Sequence, residues 1–212
     1  MKKTILLLAA ILTISAGTMA QKAELTGFYG ISLNSKIRSY YGTYQVDDKP
    51  NYGGMLSFSL SSQVFAELLY NRTDTRIQYY NPFNPVQPYD ISIEYYQIGA
   101  LQQVNIGNDM IKPFGAFTLG LTRFDLKQPI DFENTGSPVY VKDEYLFSVT
   151  AGAGVKILLH ERVGIRLQAR LGAPMAFNGL WVGVGTGGAS GGASFRVPLV
   201  QLDLSAGLII RI

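Results

Sequence analysis

The sequence predicts an all-β fold, and three observations support this prediction. Long stretches alternate strictly between apolar and polar residues, and the 212-residue chain contains 13 tyrosines and 11 phenylalanines together with 23 glycines. Alternation with a period of two is the pattern of a strand whose two faces meet different surroundings. Aromatic residues favour strands, and glycine allows neighbouring backbones to approach closely. Cysteine is absent, so the fold has no disulfides.

Residues 1–20 are predicted to form a cleavable signal peptide. Two lysines precede an apolar run over residues 5–14, and small residues lead up to Ala20. This order is typical of secretory signals, and about ten apolar residues are roughly half of a membrane-spanning helix. We therefore expect one mature domain over residues 21–212. Loss of the two lysines lowers the formal net charge from +3 to +1, so bulk charge gives no argument for a nucleic-acid partner.

Eight strands are predicted after the signal. The last one carries an apolar side chain at every even position, while its odd positions include Gln201, Asp203 and Arg211. Alternation over about ten residues or more exceeds the usual length of a globular strand and matches a tilted membrane strand. The predicted strands cover residues 25–33, 52–60, 64–71, 91–104, 111–125, 145–157, 163–171 and 200–212.

The connections between these strands alternate between long and short. The long ones, rich in Gly, Pro, Asn and Asp, are residues 34–51, 72–90, 127–144 and 172–198, and the tight ones are 61–63, 105–110 and 159–162. All long connections therefore fall at one end. Bacterial outer-membrane barrels show this asymmetry, with short turns in the periplasm and long loops outside. We predict an eight-stranded antiparallel up-and-down transmembrane β-barrel with short periplasmic turns and four long extracellular loops.

The distribution of charge favours a lipid exterior over a water-soluble barrel such as a lipocalin. A soluble barrel needs a polar outer face, whereas the apolar faces of the clearest strands here carry no charge. Five charged residues are assigned to the opposite face: Glu67, Lys156, Arg166, Arg170 and Asp203. Because unpaired buried charges are costly, we expect Glu67 to pair with Lys156 or Arg166, and Asp203 with Arg170, in a filled polar lumen.

With this architecture the chain resembles the small OmpA/OmpX-type outer-membrane barrels over essentially the whole mature sequence. The resemblance rests on the strand pattern and not on a sharp motif. It implies folding by the barrel-assembly machinery into a bacterial outer membrane of lipopolysaccharide and phospholipid. Many such barrels end in an aromatic residue, whereas this chain ends in Arg211-Ile212.

Aromatic residues in the predicted loops are candidate contacts with a surface partner. Rings exposed to water are common at binding surfaces, although these rings can also pack against one another above the barrel. The candidates are Tyr40, Tyr41, Tyr44, Tyr79, Tyr80, Phe83, Tyr89 and Trp181.

We expect no enzymatic activity, no cofactor and no metal site. The only histidine, His160, falls in a predicted periplasmic turn, about a membrane thickness from the outer rim where barrel lipid hydrolases act. The glycine run at residues 183–192 lacks the Lys-Ser/Thr of a phosphate-binding loop. Three roles stay open: envelope structure or surface adhesion, a component of a secretion or assembly complex, and a lipid-modifying barrel.

Overall fold

The computed structural model describes residues 23–35, 37–39, 42–80, 88–127, 143–185, 188–196 and 199–212. These ranges contain eleven β-strands. Their bounds are β1 Ala23–Asn34, β2 Ile37–Ser39, β3 Gly42–Val46, β4 Lys49–Ser59, β5 Val64–Tyr80, β6 Tyr89–Gln103, β7 Ile111–Leu126, β8 Glu144–Leu158, β9 Val163–Gly185, β10 Gly188–Arg196 and β11 Gln201–Arg211. Within the described ranges, no helix is long and apolar enough to span a bilayer. The predicted signal lies outside them and stays a prediction.

Eight of the strands form one closed antiparallel barrel. The order around the barrel is β1, β4, β5, β6, β7, β8, β9 and β11, and β11 pairs again with β1. Closure gives the backbone N–H and C=O groups of the wall partners on both sides, which a strand inside a lipid layer requires. The predicted eight-stranded up-and-down barrel is therefore confirmed.

The strand registers fix the tilt of the barrel wall. One row of paired positions runs from Arg123 through Glu94, Arg72, Tyr52, Tyr29, Ala206, Leu167 and Val155 to Pro113. The row therefore returns to β7 ten residues from its start. With a rise of about 3.3 Å per residue and a strand spacing of about 4.8 Å, this stagger corresponds to a tilt of about 40°. An eight-stranded barrel of this kind has an interior just wide enough for side chains to fill.

The two faces of the wall differ in polarity as the alternation predicts. On β11, Gln201 and Asp203 are buried inside the barrel. Leu204, Leu208 and Ile210 alternate with the inward positions and are 42–53% exposed on the outside. Apolar side chains exposed around a polar interior are stable only where the surroundings are apolar, so this wall is suited to lipid.

Tight connections and the two described chain ends lie at one end of the barrel, called here the turn end. Residues 60–63, 104–110 and 159–162 connect successive strands there. The backbone N–H of Ile212 donates to the carbonyl of Ala23 at 2.8 Å, which joins the last strand to the first. This arrangement agrees with the predicted alternation of short and long connections.

At the opposite end, called the extension end, strands continue where loops were predicted. β5 runs to Tyr80 and β9 to Gly185. The β2–β3 hairpin pairs with the end of β5, and β10 pairs with the end of β9. Describing residues 34–51, 72–90 and 172–198 entirely as loops was therefore wrong. Above the lipid a strand no longer needs one apolar face, so the alternation that revealed the other strands is missing.

Candidate functional site in the barrel lumen

All five predicted lumen residues are buried inside the barrel. They lie on inward positions of β5, β8, β9 and β11, and their charges form three layers. Each layer brings together strands that are not neighbours in the wall, so the barrel must close before the layers exist. The residues concerned are Glu67, Lys156, Arg166, Arg170 and Asp203.

The middle layer is centred on Glu67. Arg166 Nη1 donates to Glu67 Oε2 at 2.7 Å, and Arg170 Nη2 donates to Glu67 Oε1. Arg166 and Arg170 are four residues apart on β9 and therefore share its inner face. Each oxygen of the carboxylate thus has its own guanidinium, which offsets the cost of burying these charges. The predicted pairing of Glu67 with Arg166 is present.

The layer nearest the turn end is centred on Glu24, which the sequence analysis missed. Lys156 Nζ donates to Glu24 Oε2, and Arg211 Nε donates to Glu24 Oε1 at 2.9 Å. Lys156 therefore pairs with Glu24 and not with Glu67. Glu24 directly precedes the first predicted strand, and the alternation with Leu25 assigns it to the inner face once that strand is extended by one residue.

Two aromatic rings pack against cations of the Glu24 and Glu67 layers. Lys156 Nζ lies 4.4 Å from the ring centroid of Phe65, and the guanidinium of Arg166 lies 4.4 Å from that of Phe114. Both rings belong to a buried apolar cluster with Leu101 and Ala116. The cations thus meet carboxylates on one side and ring faces on the other, which is favourable for a desolvated cation.

The third layer is centred on Asp203 and uses neutral donors. Its carboxylate accepts hydrogen bonds from Ser32 Oγ, from Asn71 Nδ2 at 2.7 Å and from Gln201 Nε2 at 2.8 Å. Arg170 is directly opposite Asp203 in the register of β9 and β11, yet its guanidinium donates to Glu67. The predicted Asp203–Arg170 ion pair is therefore wrong. Glu67 offers Arg170 a charged acceptor across the lumen, whereas three polar side chains already satisfy Asp203.

An apolar cluster lies above the Asp203 layer at the extension end. Val46, Ile93, Tyr95 and Leu199 are buried together, and further side chains pack against them. Tyr95 also links this apolar cluster to the Asp203 layer, since its hydroxyl donates to Gln201 Oε1 at 3.4 Å. The described lumen is thus filled by ionic layers below and apolar side chains above.

The described residues contain no group suited to metal binding. No cluster of three or more His, Cys, Asp or Glu residues is close enough to hold an ion within the described ranges. His160 is exposed in the turn between β8 and β9, where its backbone N–H donates to the carbonyl of Val163 at 3.0 Å. The structure therefore places His160 at the turn end, as predicted.

The candidate surface aromatics divide into two groups. Tyr40, Tyr41 and Phe83 lie outside the described residues. The others were assigned to loops, but their backbones belong to strands of the extension end, and this assignment was wrong. These residues are Tyr44 on β3, Tyr79 and Tyr80 on β5, Tyr89 on β6 and Trp181 on β9.

Comparison with known proteins places this geometry in a family. The family model described as outer membrane protein beta-barrel domain matches residues 6–196. The chain belongs to this family. The resemblance inferred from the strand pattern is therefore confirmed, and membership indicates a bacterial outer-membrane location. The turn end then corresponds to the periplasmic side and the extension end to the extracellular side.

Solved structures show the same fold at low sequence identity. Neisserial surface protein A (NspA) is 13% identical with a TM-score of 0.54, and the match covers 90% of this chain and 97% of that chain. OprG from Pseudomonas aeruginosa is 11% identical with a TM-score of 0.56, and the match covers 91% and 95%. At these identities the likeness concerns the fold alone. No curated protein sequence matches the chain.

Proposed function

We propose that this protein is a non-enzymatic outer-membrane barrel with a plugged lumen, which serves envelope structure and surface contact. The observation that supports the plug is the layered filling from Glu24 through Glu67 and Asp203 to the apolar cluster of Val46 and Ile93. A solute path would have to separate buried ion pairs, and breaking one such pair costs about 3–5 kcal/mol. This cost favours a lumen that solutes cannot cross.

The extension end supports the surface-contact part of the proposal. The paired strands β2, β3 and β5 and the β9–β10 hairpin continue beyond the apolar band and carry aromatic residues, including Tyr44, Tyr79 and Trp181. Paired strands hold their backbone in one conformation before a partner binds, which lowers the conformational entropy lost on binding. A role in a secretion or assembly complex is the alternative, and it would use the periplasmic turns or the lipid-facing wall.

Liposome efflux tests the plug. Barrels refolded into vesicles that contain a small fluorescent dye should release it no faster than protein-free vesicles. The double variant Glu67→Ala/Lys156→Ala should release dye faster, because it removes an anion and a cation from adjacent lumen layers. Rapid efflux through the wild-type barrel would overturn the plug.

Trimming the extension end tests surface contact. A variant in which a two-residue turn replaces residues 176–196 removes the β9–β10 hairpin above the membrane. Bacteria that display it should adhere to host-cell or abiotic surfaces more weakly than bacteria with the full-length protein. A matched control replaces the periplasmic turn at residues 105–108 with another turn sequence. Equal adhesion by all three strains would refute the contact role and favour the alternative.

A further inference from the structure

The β9–β10 hairpin extends beyond the rest of the wall as a two-stranded ribbon. The last residue of β9 that pairs with β8 is Met175, and the last that pairs with β11 is Gly172. From residue 176 to residue 185, β9 pairs only with β10 among the described residues. At about 3.3 Å per residue, this part of β9 extends about 33 Å beyond its last pairing with the barrel wall. Both long edges of the ribbon are therefore unpaired within the described part of the chain.

The ribbon belongs to the longest uncharged stretch of residues 21–212. Residues 171–195 contain no Asp, Glu, Lys, Arg or His. Within this stretch, residues 188–194 of β10 are all Gly, Ala or Ser. In contrast, β5 carries Arg72, Asp74 and Arg76 where it reaches the same end of the barrel. Charges that would keep another chain away are thus absent from the ribbon and present on the neighbouring wall.

Unpaired strand edges normally carry features that prevent pairing with another chain. Charged side chains, prolines, bulges and very short edge strands all have this effect. The edge of the β2–β3 hairpin is protected in this way, because β2 has only three residues and the middle one is Arg38. On β10 such features lie at the base, where the register shifts between Ser194 and Phe195 and the strand ends with Arg196. The edge over residues 188–193 has none of them.

We propose, on the basis of the surface-contact role proposed above, that the β10 edge pairs antiparallel with the β10 edge of a second copy of this chain. The backbone N–H and C=O groups of an unpaired edge form a template that another strand completes. Glycine in a strand marks a place where another backbone can approach closely, and β10 has Gly188, Gly191 and Gly192. Two uncharged edges do not repel each other, so a second copy meets no electrostatic barrier.

Symmetry places the two copies in facing membranes. Identical edges pair antiparallel about a two-fold axis perpendicular to the ribbon. Such an axis reverses the direction of β10, so the two barrels lie at opposite ends of one four-stranded sheet. Pairing within one membrane would instead join the β10 edge of one copy to the β9 edge of the next, at a spacing of about 10 Å. Eight strands tilted by about 40° form a wall of about 16 Å diameter between backbones, so neighbouring barrels would collide at that spacing.

Many copies in two facing membranes make a weak contact effective. One pair of short edges adds only a few backbone hydrogen bonds, each of which replaces a hydrogen bond to water. When many such pairs form between the same two cells, the overall strength rises steeply without any new kind of contact. Bacteria that display the protein should therefore clump with one another.

Disulfide trapping between cells tests the pairing. The chain contains no cysteine, so a single introduced cysteine has no partner within its own chain. Single cysteines are placed at residues 189–193 of β10, and the matched control series is placed at residues 180–184, their paired positions on β9. Two strains with truncated lipopolysaccharide display the same variant with different epitope tags in the periplasmic turn at residues 105–108. The strains are mixed and mildly oxidised, and a dimer that carries both tags forms only between cells.

We expect the two-tag dimer at one or two positions of the β10 series, at least five-fold above every position of the β9 series. At those positions the two-fold axis brings equivalent residues within disulfide distance. Absence of the two-tag dimer throughout the β10 series would overturn the proposal, and equal amounts in both series would exclude the β10 edge. Dimers found only within one strain would overturn the facing arrangement.

A charge on the edge provides a second measurement. Ser190→Lys should reduce clumping, measured by the settling of displaying bacteria, at least five-fold. Ser62→Lys is the matched control, because it makes the same change in an exposed periplasmic turn and should leave clumping unaltered. Clumping of the Ser190→Lys strain at the wild-type level would contradict edge pairing. Heat-modifiable gel mobility establishes that each barrel is folded.

Adhesion to host-cell or abiotic surfaces is measured separately on the same strains. Loss of adhesion on trimming the hairpin, without a two-tag dimer, would keep the contact role and overturn the second copy as the partner. A two-tag dimer without any effect of trimming on adhesion would refute contact with those other surfaces and support self-pairing.

Discussion

Replacing Glu67 with glutamine should destabilise the barrel more than any other single neutral substitution in the lumen. Glutamine keeps the volume and one acceptor oxygen, so the change isolates the charge. In the wild type the carboxylate is fully buried and receives hydrogen bonds from both Arg166 and Arg170. Without it, two buried guanidinium groups face each other across an uncharged amide.

The expected magnitude follows from the burial of these groups. Removing one partner of a buried ion pair costs about 3–5 kcal/mol, largely because the remaining charge stays desolvated. Glu67 has two such partners, each at most 4% exposed. Since Arg166 also stacks on the ring of Phe114, which lowers the penalty for that cation, we expect a loss of about 4 kcal/mol.

Urea unfolding of the barrel refolded in lipid vesicles measures this loss. Glu161→Gln is the matched control, because Glu161 is exposed in a turn and the same chemical change there should alter stability by less than about 0.5 kcal/mol. The variant Glu67→Leu/Arg166→Met/Arg170→Met removes all three charges and should recover much of the stability lost in Glu67→Gln. If Glu67→Gln unfolds within 1 kcal/mol of the wild type, the lumen is hydrated and the buried-charge reasoning fails.

Two further predictions use the same unfolding assay, and a third uses conductance. Gly154→Ala should destabilise by about 1–3 kcal/mol, because an added Cβ would lie 2.2 Å from a backbone oxygen of β9, whereas Gly115→Ala should be neutral in its open space; equal effects would contradict the close approach. In double-mutant cycles, Arg170 should couple more strongly to Glu67 than to Asp203, and the reverse order would restore the Asp203–Arg170 pair. In planar bilayers the wild type should show no steady conductance; regular open steps would contradict the filled lumen.

The sequence was sufficient to predict the barrel because lipid and lumen impose opposite requirements on the two faces of each strand. β11 shows this most clearly, with aliphatic side chains outside and Gln201 and Asp203 inside. Alternation also identified five charges of the lumen without any knowledge of the register. For those positions, the neighbouring residues on the same strand are enough to predict which face of the wall the side chain occupies.

The partners of those charges cannot be predicted from one strand alone. Which cation meets Glu67 depends on the ten-residue stagger of the closed barrel, and periodicity along one strand carries no information about that stagger. The sequence therefore left Lys156 and Arg166 as alternative partners of Glu67, of which Arg166 is the one present, and Glu24, the partner of Lys156, was missed. The charged residues around Glu94 on the outer wall were missed for a related reason. Arg72, Asp74 and Glu94 interrupt the apolar pattern on their strands, so Arg72 and Asp74 were assigned to a loop.

Three buried glutamates in this barrel share one arrangement, in which each carboxylate oxygen faces its own cation. The lumen contains two of these triads, centred on Glu24 and Glu67, and the outer wall contains the third, centred on Glu94. The third differs in how it is assembled, because both of its cations lie beside Glu94 on paired neighbouring strands, whereas Glu24 has only Arg211 beside it, across the β1–β11 pairing that closes the barrel. Three paired strands suffice to form it, whereas the lumen triads need a closed wall. An unclosed sheet would therefore keep the outer-wall triad and leave the lumen charges without their partners, so the lumen triads stabilise closure itself.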